Sequence, residues 1–175
     1  MKQKLFYLFI ILFFISFGVS YSQDKNEEEI TDLIGIKKRK DLQSNPFEEW
    51  FFASYQAHFL DEEKIKKLRP LMKDIQLKLF MGTWCSDSRI QVPAIYKILD
   101  SLGFDEKNLT LIAMTEYKET PQNYEKGLDI TNVPTLIFYR NGKEINRIVE
   151  FPIVSLEADM YNILTENTYK HAYTQ

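Results

Sequence analysis

From Ile75 onward, apolar and polar positions follow two alternating periods. Leu77, Leu79 and Met81 alternate with Lys78 and Phe80, the two-residue period of a mostly buried strand. Ser86 to Leu102 carries Ile95, Ile98, Leu99 and Leu102 at helical spacing, with Gly103 as its stop and Pro93 as an internal kink. Leu109 to Met114 reads as a second apolar strand and Pro121 to Leu128 as a short helix. Thr135–Tyr139 and Glu144–Val149 flank Asn141-Gly142, a strong hairpin signal. Ser155 caps a last helix with Leu156, Met160, Ile163 and Leu164 on one face. A strand-helix-strand opening implies a right-handed parallel unit, and the closing hairpin must be antiparallel. The expected fold class is therefore α/β, a mixed four-stranded sheet flanked by helices on both faces.

Upstream, Asn45-Pro46-Phe47-Glu48 predicts a helix start, with Asn45 as cap, Pro46 in the first position and Glu48 reaching back. Phe47, Trp50, Phe51, Ser54, Tyr55 and His58 follow at helical spacing, an aromatic face that reads as core packing. Asp61 caps a second helix that ends before Pro70. Residues 45–74 thus form an N-terminal helical extension to a domain over 75–168. Residues 23–44 are polar, with an acidic run at Glu27–Glu29 and a basic one at Lys37–Lys40, and read as a mobile leader from which Ile30, Leu33, Ile34 and Ile36 can dock. Lys2 and Lys4 precede an apolar run, Leu5 to Val19, followed by Ser20-Tyr21-Ser22, which is the pattern of a signal peptide over 1–22 cleaved near Ser22. The run is about 15 residues against the ~20 a spanning helix needs, so export to the periplasm or beyond is preferred to a membrane anchor.

Charge and composition narrow the chemistry. The 175 residues carry a net charge of -3, which gives no basic footprint for nucleic acid. His58 and His171 are not spaced with Cys85 as a metal site, and no phosphate loop or nucleotide fingerprint is present, so neither metal nor cofactor is expected. Cys85 is the single cysteine. One cysteine excludes an internal disulfide framework and a complete two-cysteine redox motif. In an exported protein it also invites a disulfide-linked dimer.

The order of elements, with Trp84-Cys85-Ser86-Asp87-Ser88 at the first strand-to-helix turn, resembles the thioredoxin superfamily. Pro93 falls eight residues after the cysteine, where thioredoxins carry their helix-kinking proline. Val133-Pro134-Thr135 resembles the segment that holds the family's cis-proline, and Gly142 follows it at the family's spacing. The stretch Gly82 to Pro93 and the segment Arg147 to Pro152 are similar to a group of exported bacterial thioredoxin-like proteins with Trp-Cys-Gly-Asp-Ser motifs. Three departures stand out. Ser88 replaces the second motif cysteine, Leu79 stands at the family's buried acid, and Glu150 stands where the family places a glycine beside the substrate groove.

The resemblance puts Cys85 at a helix start, where unpaired N–H groups favour a thiolate. Arg89 adds positive potential there, while Asp87 and Glu150 oppose it. Ser88, three residues on, is expected to hydrogen-bond the sulfur. Trp84 walls the groove, and the backbone of Val133 and Pro134 offers edge-strand bonds to an extended substrate. The reaction this implies is monothiol exchange with a disulfide-containing protein or a small thiol, completed by an external thiol. The alternative is a binding module that keeps the scaffold and has lost the redox chemistry.

Overall fold

The computed structural model describes residues 31–174; the expected signal peptide over 1–22 and the acidic run lie outside them. The chain starts with a short strand, β1 (Gly35–Lys37), then α1 (Arg39–Leu42), α2 (Glu48–Ala57) and α3 (Glu62–Leu68). After a 3-10 turn at Arg69–Met72 come β2 (Ile75–Met81), α4 (Ser86–Leu102), β3 (Leu109–Ala113), β4 (Thr135–Arg140), β5 (Lys143–Val149) and α5 (Leu156–Leu164).

The sheet has five strands, in the order β1-β3-β2-β4-β5. β2 and β3 run parallel, with Leu79 beside Leu111, and every other pairing is antiparallel. The expected count of four is thus corrected by β1, which adds an antiparallel edge through Ile36 opposite Ile112. Its three residues are too few to show a period, and the basic run that begins at Lys37 reads as part of a mobile leader. Residues 35–42, expected to be mobile, are instead tied into the fold, with Leu42 fully buried.

Alternation along β2 sends its side chains to two separate cores. Leu77, Leu79 and Met81 pack with Phe51 of α2, Ile65 of α3, Ile95 of α4 and Ile163 of α5. Phe80, on the opposite face, meets Ile112, Met114, Val133 and Ile137, with Trp84, Leu128 and Ile130 against them. All the long helices therefore share one core, which corrects the expectation of helices on both faces. The other face is closed by the irregular chain between β3 and β4. The short helix expected over 121–128 does not form: Asn123, Gly127 and Asp129 all have left-handed backbone, which a helix cannot contain.

Local signals at helix ends were partly legible. Asp61 caps α3 through the Lys64 N–H, and Ser155 caps α5 through the Ala158 N–H, as their positions suggest. Gly103 ends α4 with left-handed backbone. Asn45 does not cap α2. The Asn45–Pro46 peptide is cis, Ser44 O accepts the N–H groups of Phe47 and Glu48, and the helix begins at Glu48. Pro93 lies inside α4 and is buried.

Candidate functional site

β2 ends at Met81, and the chain turns through Gly82, Thr83 and Trp84 before α4 begins. Cys85 is the N-cap residue of α4, with extended backbone, and its carbonyl accepts from the Arg89 N–H at 3.1 Å. The thiol is free and half-buried. It donates to the Val133 carbonyl at 3.2 Å. The Val133–Pro134 peptide is cis, and both residues are buried. Cys85, Val133 and Pro134 are thus brought together across 48 residues of sequence.

The turn is held by contacts that the sequence did not announce. Trp84 Nε1 donates to the Met114 carbonyl at 2.9 Å, which ties the turn to the end of β3. The indole lies so close to Gly82 that a Cβ there would meet the ring at 2.4 Å. Thr83 is fully buried and acts as a hub. Its hydroxyl donates to Asp32 Oδ1 at 2.6 Å and accepts from the Leu33 N–H at 3.2 Å. Its carbonyl accepts from Arg89 Nε at 2.6 Å. The residue before the Trp-Cys pair therefore anchors the N-terminal segment to the site. Nothing in the pattern around Asp32 signals this, because the contact spans 51 residues.

Ser88 departs from its expected role. Its side chain is fully buried, and its hydroxyl accepts from the Gly82 N–H at 3.2 Å. That N–H leaves the sheet where β2 ends and needs an acceptor in the interior. The thiol finds its own partner in Val133 instead. Asp87 lies half-buried in the first turn of α4, and Arg89 is exposed apart from its bond to Thr83. Pro134 also departs in part: its carbonyl is not open to a substrate but accepts from the Glu150 N–H at 2.7 Å.

The thiol thus stands at the start of the helix that follows β2, against the cis Val133–Pro134 peptide. The family model for thioredoxin matches residues 46–161. The chain belongs to the thioredoxin family. Thioredoxin-2 of Saccharomyces cerevisiae is 30% identical over 70 residues, 40% of this chain and 62% of that protein. Thioredoxin H2 of Arabidopsis thaliana is 28% identical over 97 residues, 55% of this chain and 63% of that protein. The matches thus span less than two thirds of either relative's own length. A protein of unknown function from Pseudomonas aeruginosa shares the fold at 13% identity and a TM-score of 0.50, over 68% of this chain and 82% of that one.

Three positions differ from the pattern that the resemblance implies. Ser88 fills the second cysteine's place with a buried hydroxyl that is already committed. Leu79 replaces the family's interior acid with a fully buried apolar side chain. Glu150 keeps the glycine-like backbone of the position it occupies, at φ 64°. Left-handed backbone costs a non-glycine residue roughly 1 kcal/mol or more, so something must hold Glu150 there. Its N–H bond to Pro134 does so, and its carboxylate accepts from Asn132 Nδ2 at 3.2 Å and from the Tyr173 hydroxyl. Asn132 and Tyr173 were missed by sequence reasoning, since neither belongs to a recognisable motif. Neither histidine bonds to the thiol. His58 Nε2 is 2.9 Å from Glu157 Oε1 on α5, and His171 Nδ1 accepts from the Tyr173 N–H in the tail.

Proposed function

We propose that this thioredoxin-family protein carries out monothiol thiol–disulfide exchange through Cys85. The observation that carries the reading is the half-buried thiol at the start of α4, bonded to the carbonyl of Val133. The partial positive charge of a helix N-terminus stabilises the anion that attacks. In the first step the Cys85 thiolate attacks one sulfur of a partner disulfide, forms a mixed disulfide and releases the other sulfur as a thiolate. Once Sγ carries no proton, the Val133 carbonyl loses its donor and is free to accept an N–H from an extended substrate chain. Trp84 walls this groove from its place between Gly82 and Met114. In the second step an external thiolate attacks the partner's sulfur, forms a new disulfide with it and releases Cys85 as a thiolate; attack at Sγ would only exchange the group that Cys85 carries. Ser88 stands where a resolving thiol is needed and cannot supply one.

The partner class is a disulfide-containing protein or a small thiol. We place the reaction outside the cytoplasm, on the signal-peptide pattern over 1–22; N-terminal sequencing of the mature chain should begin near Gln23, and an intact Met1 in the mature protein would contradict it. The exchange itself is tested by incubating the protein with 2-hydroxyethyl disulfide and measuring intact mass. One adduct should form on the natural chain and none on Cys85→Ser.

A further inference from the structure

The charged groups beside the thiol are few. Asp87 and Arg89 come from the first turn of α4, and Glu150 comes from the other wall, one hydrogen bond away from Pro134. Arg89 donates its Nε to the neutral Thr83 carbonyl, which positions the guanidinium and leaves its charge in place, and it forms no ion pair with Glu150. Glu150 forms no ion pair with any lysine or arginine among the described residues; its carboxylate is held by the neutral groups of Asn132 and Tyr173. Tyr173 is itself fixed, with its ring edge-on to Phe151 at 6.4 Å. The tail behind it is anchored where Asn146 Nδ2 donates to the Tyr169 carbonyl and the Tyr169 hydroxyl donates to buried Asp159. His171 lies in the same tail, and burial, reinforced by the Arg147 charge, holds its pKa below the ordinary value, so it is neutral at pH 7 and does not offset Glu150. The result is a half-exposed carboxylate with no ion-pair partner among the described residues, tethered by two neutral groups beside the cis-proline loop.

Resting on the exchange reading above, we propose that Glu150 is a specificity-determining residue that sorts disulfides by charge. The fixed carboxylate favours cationic disulfides, including protein disulfides flanked by lysine or arginine, and disfavours small disulfides that carry carboxylates. The chemistry selected is the same in each case: the Cys85 thiolate bonds to one sulfur, the S–S bond breaks, and the departing sulfur leaves as a thiolate. Charge acts on the approach and on the mixed disulfide. The effect must therefore weaken with salt, because the Debye length falls from ~30 Å at 0.01 M to ~3 Å at 1 M. A glycine at this position, as the resemblance expects, offers no such discrimination.

The test is a rate series with cystamine, 2-hydroxyethyl disulfide and 3,3′-dithiodipropionate, a dication, a neutral molecule and a dianion. The readout is the ratio of the cystamine rate to the dithiodipropionate rate within each protein, so any change in the thiol's own reactivity cancels. In Glu150→Gln the ratio should fall by about fivefold at low salt, and the gap from the natural chain should close at high salt. Glu150→Asp keeps the charge and should keep most of the ratio. Glu62→Gln, on α3, changes the net charge equally and should leave the ratio in place. An unchanged ratio in Glu150→Gln, with the neutral disulfide still reacting, overturns the charge selection and leaves the exchange reading standing. Failure of the neutral disulfide to react with the natural chain overturns both.

Discussion

Gly82 is needed for what it lacks. A Cβ would stand 2.4 Å from the Trp84 ring, and the ring is held by its bond to Met114. Gly82→Ala should therefore expel the indole and break that bond, at a cost of roughly 1–3 kcal/mol from overpacking. A red-shifted Trp84 emission in a Trp50→Phe background, together with a lower urea midpoint, checks this. Unchanged emission contradicts it. Ser88 shows the limit of spacing arguments at the same scale. Three residues along a helix place two side chains on neighbouring turns, but they do not say which acceptor a buried backbone N–H will claim. Gly82 claims Ser88, and the thiol turns to Val133. Glu150 was visible in the sequence only as a departure; its left-handed backbone and its two neutral holders emerge from contacts 18 and 23 residues away.

Among the elements, the N-terminal segment is where reading and structure part most. The basic run at 37–40 reads as part of a mobile leader, yet Arg39 folds onto α4. Its Nη1 and Nη2 donate to Asp100 at 2.7 and 2.6 Å, and Nη1 also reaches Glu106 at 2.9 Å. Its guanidinium lies over the rings of Tyr96 and Tyr55, at 4.9 and 5.5 Å. The Tyr55 hydroxyl donates to the same Asp100. A run of like charges gives no hint that one member has a partner 61 residues on. Burial pushes Asp100 up, but the Arg39 and Tyr55 hydrogen bonds outweigh it and hold the carboxyl below its usual range. The folded state thus binds the Asp100 proton more weakly than the unfolded state does. The stability from this clamp is present above the unfolded pKa of about 4 and is lost as pH falls through the lower folded value. Arg39→Ala should cost about 1–2 kcal/mol at neutral pH, discounted for the clamp's exposure, and should flatten the acid loss. Urea midpoints from pH 6 to pH 3 measure both. Equal acid slopes in the two proteins would contradict the clamp.

For the whole molecule, the parts with strong periods were legible and the parts without them were not. β2, α4, β3, the hairpin and α5 each carry a run long enough to show its period, and these are the elements that place Cys85 against Val133. β1 is too short to show one. The segment that closes the second core carries apolar residues, but it buries them through turns rather than through a helix. The site was legible as a position, since Trp84-Cys85 and Val133-Pro134 announce themselves. Its wiring through Thr83, Asp32 and Tyr173 was not, because long-range hydrogen bonds leave no local trace. At this scale the proposed exchange requires that Cys85 form a mixed disulfide and be unable to release it unaided. Intact mass after reaction with 2-hydroxyethyl disulfide tests that most directly. The account predicts a single adduct on Cys85 that persists after the free disulfide is removed and disappears when an external thiol is added. An unmodified chain, with the thiol accessible in the folded protein, would contradict it.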